Sequence, residues 1–326
     1  MDFPLFTDRS AWNDAVNKLK PHRFSSLPER VAANRRILGL WLNSAGVNAF
    51  MSSTKDLPTL SQHTTPTMVN QGIHAIRSIL ATEYEGARNV CGAFDFRLNG
   101  YLCVSNLLGS LCAELVAQEL HTLSASVHKT PSNLIDYNKK SLPECWKAMK
   151  ESIHPTVLNC LGIPGSFDSD HSAQYLANTF GQRVLNSPNN GDIQKHFHID
   201  TFFPALKFWY FPEAVEISDG PLRFAPGSHK LTEDKLIYMQ TEYVKLANNQ
   251  PIDPTFDYGH MDGSLRITEE AIVNGPYRPI RDMIVPADTL IVADVFAWHA
   301  RGEATKSADR IALHGSIRSN YPLGNA

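Results

Sequence analysis

Three side chains able to bind a metal stand at alternate positions in "HFHID": His196, His198 and Asp200. In an extended segment side chains alternate with period two, so all three would share one face. Two ligand templates compete for the stretch. One is an H-x-H pair followed three or four residues on by a Glu. After His198, however, the chain runs Ile199, Asp200, Thr201, Phe202, Phe203 and no Glu arrives. The other is H-x-D with a distant His. Two imidazoles and one carboxylate suit Fe(II) and leave adjacent positions open for a chelating ligand and then O2. His198 and Asp200 supply its first two members, and His299 directly follows the apolar run "TLIVADVFAW".

Eleven residues beyond His299, Arg310 opens the run "RIALHGSIR". Alternation puts Arg310, Ala312, His314, Ser316 and Arg318 on one face and Ile311, Leu313 and Ile317 on the other. A guanidinium buried beside a metal needs an anion, and its planar fork matches a carboxylate. A dicarboxylate that chelates iron through a 2-oxo acid end would set its far carboxylate on Arg310. That cosubstrate is 2-oxoglutarate.

Such a site needs strands that fold back on one another. Beyond Gln174 the chain is a series of short apolar or alternating runs ("RVLN", "HFHID", "ALKFWYF", "LRFA", "TLIVADV", "RIALHGSIR") separated by Gly, Pro, Asn and Asp. Many short strands with turn signals between them predict a mainly β protein with flanking helices. The expected core is a double-stranded β-helix, or jelly roll, of the cupin-like kind that often carries a metal at its open end. Upstream, "LNGYLCVSNLL" reads as a strand ending in a loop and "LCAELVAQELHTL" as an amphipathic helix. The polar stretch from Asp136 to about His154 reads as helix plus loop. Residues 1–88 read as helix and loop, with apolar residues at helical intervals around Trp41 and Ile76 and Pro58 and Pro66 as punctuation. They are expected to form a helical extension packed on the core, and residues 89–326 the jelly-roll domain.

Composition sets the outer bounds. In 326 residues, 30 Lys and Arg against 33 Asp and Glu give a net charge of −3, which offers no electrostatic reason to seek nucleic acid or an anionic membrane. The opening "MDFPLFTDRSAW" lacks a basic, then apolar, secretory pattern. The longest apolar stretch, "LNGYLCVSNLLGSLCAEL", is too short and too polar to span a bilayer. Five scattered cysteines with no C-x-x-C pair fit reduced thiols in a cytoplasmic compartment. The expected partner is a small-molecule substrate; oligomeric state is not legible.

The motifs resemble the phytanoyl-CoA dioxygenase family of Fe(II)/2-oxoglutarate oxygenases over about residues 93–320. "NGYLCVSNLLGSLCAELVAQEL" is similar to its opening strand and helix. "HIDTFFPALKFWYFPEAVEISDGPLRFAPGSHK" resembles the segment from H-x-D to a Gly-Pro-Leu…Pro-Gly-Ser-His loop, and "VPADTLIVADVFAWHARGEATKSADRIALHGSIR" its closing His and Arg strands. The resemblance implies Fe(II) on His198, Asp200 and His299, with 2-oxoglutarate on Arg310 and, beside it, Trp209 and Asn186. It implies conversion of 2-oxoglutarate and O2 to succinate and CO2, coupled to oxidation of a small organic molecule, most simply its hydroxylation. Desaturation, epoxidation or ring closure would use the same chemistry, and a non-catalytic metal-binding jelly roll is the alternative. Members that halogenate lack the carboxylate that Asp200 provides. Three positions depart from the family: Phe197 replaces a common Trp, Ile199 a common Gln, and Arg301 a small hydroxyl residue that can help bind the cosubstrate.

Other nearby side chains have candidate roles. His196 is a rim histidine rather than a fourth ligand, since a fourth would block an open position. His196, with Gln182, Arg183, Phe202 and Arg301, is a candidate substrate contact. His314 is a core histidine or an orienting group, and His229 in "PGSHK" stabilises a turn.

Overall fold

The computed structural model describes residues 49–51, 58–60, 96, 98–123, 126–127, 134–135, 142–160, 175–188, 192–200, 206–230, 266–319 and positions 232, 234, 235 and 238. Of residues 1–88 it describes only β1 (Ala49–Met51) and β2 (Pro58–Leu60), an antiparallel pair where helix and loop are expected. The helices expected around Trp41 and Ile76, and the boundary at residue 88, lie outside the described residues.

The remaining strands form two sheets. The larger runs, in spatial order, β3 (Tyr101–Ser105), β10 (Thr289–Asp294), β7 (Leu206–Phe211), β12 (Ala308–Ser319), β6 (Tyr175–Asn186) and β4 (Ser126–Val127), with β5 (Leu134–Ile135) also on β6. The smaller runs β11 (His299–Arg301), β8 (Leu222–Phe224) and β9 (Arg281–Asp282), and His198 extends it by a single bridge to His299. From β6 onward the chain passes from the larger sheet to the smaller and back, through His198, β7, β8 and β9, β10, β11 and β12. Antiparallel strands alternating between two facing sheets in this way make a double-stranded β-helix, the expected jelly roll.

Burial follows from this layering. Inward-facing Phe211, Phe224, Val285, Ile291 and Ala312 fill the space between the sheets. The outer face of the larger sheet, with Phe208, Tyr210, Leu290, Val292, Ile311 and Leu313, lies under helices. Those are α1 (Ser110–His121) and the continuous α2 (Pro143–Ala148), π-turn (Met149–Ile153) and α3 (His154–Cys160), which contribute Val116, Leu120, Cys145, Ile153 and Val157. With both faces covered, all six residues of β10 are buried, which is why "TLIVAD" is nearly unbroken in apolarity. A short fourth helix, α4 (Glu269–Val273), follows the buried Arg266, capped by the Thr268 hydroxyl.

Helix α1 begins at Gly109, which has no side chain to cap it. Asp288, at φ 58°, supplies the missing acceptor from across the sheet: its carboxylate takes the amide hydrogens of Leu108 (2.9 Å) and Gly109 (2.8 Å) and the Tyr210 hydroxyl (2.8 Å). Among the described residues, no helix is long and apolar enough to cross a membrane.

Candidate metal centre

His198 and His299 exchange both backbone hydrogen bonds, N–H to O=C at 2.9 and 3.1 Å. Directly opposed residues of an antiparallel pair project to the same side, and their imidazole rings lie 4.5 Å apart. Each ring is oriented by a carbonyl two residues upstream: His198 Nδ1 by His196 O at 2.7 Å, and His299 Nδ1 by Ala297 O at 2.9 Å. A carbonyl can only accept, so Nδ1 carries the hydrogen in each ring and both Nε2 lone pairs are left facing Asp200. Asp200 Oδ1 is 3.7 Å from His198 Nε2, and Oδ2 is 3.4 Å from His299 Nε2. One ligand atom from each residue lies within 4.8 Å of the others, and among the described residues this is the group with metal-binding geometry.

The electrostatics suit a cation. Burial, with the Arg266 guanidinium and the His299 ring nearby, holds the His198 imidazole well below its ordinary range, hence neutral and able to ligate. Burial would push the Asp200 carboxyl up, but the Lys207 ammonium and His299 outweigh it and the group stays ionised. Two imidazoles and a carboxylate fit Fe(II) or a similar divalent ion.

Several elements brace the ligands from behind. The Ser228 hydroxyl donates to Ala225 O (2.6 Å) and accepts the Trp298 amide (2.9 Å), fixing the residue before His299. Fully buried Lys235 donates to Ser228 O and Phe296 O, both at 2.5 Å, with its ammonium 3.8 Å above the Phe296 ring. Buried Arg266 donates to Ile193 O (2.9 Å) and His196 O (3.3 Å), holding the approach to His198.

A second cluster lies at the far end of β11. Arg310 Nη1 donates to Gly220 O at 2.5 Å, while its buried Nε has no acceptor among the described residues. No carboxylate among the described residues contacts it. Burial and the neighbouring Arg301 draw it down to about 9, which leaves it charged at neutral pH. Arg301, on the same face of β11 as His299, donates to the buried Asp192 carboxylate at 2.8 Å. Arg310 thus has no contacting carboxylate among the described residues, and an anionic ligand would answer its charge. The Asn186 amide donates to Asp219 O (3.1 Å) and Gly302 O (3.3 Å), so it braces the pocket wall and its NH2 is already engaged.

The other sequence candidates divide by face. Trp209 points inward from β7 and stacks on His314, with rings 5.2 Å apart at 26°. His314 Nδ1 contacts Phe208 O at 3.1 Å, and burial lowers the ring's pKa to about 3, so it is a neutral core group. Gln182 pairs with Ala312 on the inward face and is buried. Arg183 does not join them: it pairs with Ile311 on the outward face, forms an ion pair with Asp309 (2.7 Å) and donates to His121 O and Leu123 O. The period-two pattern that puts Gln182 inside forces Arg183 outside. The His196 side chain is exposed because the strand expected over "HFHID" is interrupted: a 3-10 turn (Ile193–Lys195) precedes it, and Phe197 and Ile199 are buried along with His198. The side chain of His229 is buried beside Gly100 in the turn that follows β8. Phe202 lies outside the described residues.

Sequence reasoning missed Lys207, whose ammonium is 2.6 Å from Asp200 Oδ2. Its signal was available, since it alternates with Trp209 on β7. Asp192 carried no signal, being one acid in the turn-rich "SPNNGDIQK".

No family model matches this sequence, and no curated protein matches it either. Solved structures do overlap it loosely. AviO1 from Streptomyces viridochromogenes Tue57 is 14% identical over 70% of this chain and 93% of its own, with a TM-score of 0.43. The non-heme alpha ketoglutarate dependent carbocyclase SnoK from nogalamycin biosynthesis is 14% identical over 71% of this chain and 85% of its own, TM-score 0.41. HygX from Streptomyces hygroscopicus with iron bound is 11% identical over 69% and 85%, TM-score 0.38.

Proposed function

We propose that this protein is a non-haem Fe(II)/2-oxoglutarate-dependent oxygenase that oxidises, by hydroxylation in this reading, an unactivated C–H bond of a small organic molecule. The observation that carries it is the pairing of a His198–Asp200–His299 ligand set with a buried, charged Arg310 that has no carboxylate partner among the described residues, at opposite ends of the three-residue β11. The sequence resemblance to the phytanoyl-CoA dioxygenase family points the same way.

In this reading His198, Asp200 and His299 hold Fe(II), with the ring orientations already set by His196 O and Ala297 O. Arg310 receives the far carboxylate of 2-oxoglutarate, and Gly220 O aims its guanidinium. Arg301 adds a second positive charge there where the family has a small hydroxyl residue. Trp209 and His314 wall the space between, and the neutral His314 brings no charge to compete for the cosubstrate. Bound iron supplies the redox chemistry that couples decarboxylation of 2-oxoglutarate by O2, giving succinate and CO2, to oxidation of the substrate.

The test is anaerobic addition of Fe(II) and then 2-oxoglutarate to metal-free protein, following the weak visible charge-transfer band of the chelate. The expected result is a band in the wild type, lost in His299→Ala and weakened in Arg310→Ala. A wild type that binds Fe(II) yet develops no band would sink the oxygenase reading and leave a metal-binding jelly roll.

A further inference from the structure

Lys207 is the cation that the reading above leaves without a task. It lies on the inward face of β7, opposite Ser316 on β12. Arg310 is on the same face of β12, six residues earlier, or about 20 Å of extended strand away. The two cations therefore approach the metal ligands from opposite ends: Arg310 from the Gly220 side, Lys207 through contact with Asp200 Oδ2 at 2.6 Å. Its side chain is about four-fifths buried, with 21% exposed, so solvent screens its charge only in part.

Asp200 is the one carboxylate in contact with Lys207 among the described residues. When Asp200 serves a divalent cation, its negative charge is shared and the ammonium is left beside a second positive centre. An ammonium has three N–H donors, and Asp200 Oδ2 accepts no aligned hydrogen bond from them, so donors are available to an incoming acceptor. The flanking Trp209 and neutral His314 offer no charge to answer it. An anion that ligates the metal next to Asp200 would meet both positive groups.

We propose that Lys207 is a second carboxylate-recognition residue of the site, receiving the carboxylate at the chelating, 2-oxo end of the cosubstrate while Arg310 holds the far one. This rests on the 2-oxoglutarate reading. It makes the site a two-ended receptor in which each end of the dicarboxylate is matched by a cation from a different strand.

The experiment compares two probes, 2-oxoglutarate and pyruvate, the second keeping the 2-oxo acid end but lacking the far carboxylate. Dissociation constants are measured anaerobically at saturating Fe(II) from the charge-transfer band, with metal affinity measured separately using Mn(II) and folding checked by circular dichroism. Lys207→Met is expected to weaken both probes by a similar factor of tenfold or more, and Lys207→Arg to recover much of the loss. Arg310→Ala is expected to weaken 2-oxoglutarate alone. Unchanged affinity for both probes in a folded, metal-binding Lys207→Met would overturn the inference, leaving Lys207 as a partner of Asp200 only. A wild type that binds metal but neither acid would instead defeat the 2-oxoglutarate reading and this inference with it.

Discussion

Gly220 shows how a single residue outside the ligand set controls the anion pocket. It sits at φ 69°, in the left-handed region, and its carbonyl accepts from Arg310. A Cβ there would fall 2.2 Å from Asn186 Nδ2 and 2.4 Å from Gly302 O, so the wall would have to move. Gly220→Ala should leave Fe(II) affinity near that of the wild type while weakening 2-oxoglutarate at least fivefold. It also carries a strain of about 1–2 kcal/mol from the left-handed backbone. Calorimetric titration of metal and then cosubstrate separates the two effects; equal loss of both would mean the change had spread to the triad.

At the scale of elements, the 3-10 turn before His196 is tied to the end of β11 by two ion pairs of different worth. Arg301–Asp192 (2.8 Å) is buried, whereas Lys195–Glu303 (2.7 Å) has a half-exposed Glu. Together they hold the segment carrying His198 and Asp200 against the strand carrying His299. Removing one partner of a buried pair strands the other charge, so Asp192→Asn should lower stability by about 3–5 kcal/mol. Glu303→Gln should cost under about 1 kcal/mol, as surface pairs do. Urea unfolding of both variants checks this ordering. A small effect of Asp192→Asn would mean that water or another group replaces the carboxylate.

For the whole molecule, buried neutral histidines set the acid limit. Burial lowers His154, and lowers His314 to about 3, against about 6.5 in an unfolded chain. Below pH 6.5 the unfolded chain therefore binds protons that the folded one refuses, and stability falls as pH falls. Each such group contributes a slope approaching about 1.4 kcal/mol per pH unit. His198 adds to the trend in metal-free protein. The depressed Asp200 acts in the same direction, but only once pH enters the ordinary carboxylate range and below. Urea midpoints of metal-free protein should drop between pH 7 and 5, and His314→Gln should flatten part of that drop. A flat wild-type profile would show that these histidines take up protons in the fold.

What the sequence determined by itself was periodic or local. The two-residue period of "RIALHGSIR" separates Arg310 and His314 from Ile311 and Leu313, and the nearly unbroken apolarity of "TLIVAD" marks a strand covered on both faces. H-x-D, the distant His and the Arg eleven residues on supplied the candidate chemistry because each is a local motif of short spacing, and His299 and Arg310 come from the consecutive strands β11 and β12. What tertiary structure decided depended on which strands meet. Only the pairing of His198 with His299 brings their Nε2 atoms toward Asp200. Only the fold sets Asp309 beside Arg183, and only it carries Asp192 to Arg301 across 109 residues of sequence. A local pattern records which way a side chain points on its own strand. It holds no record of the partner, because that contact is made between segments remote in sequence and exists only once both sheets have closed.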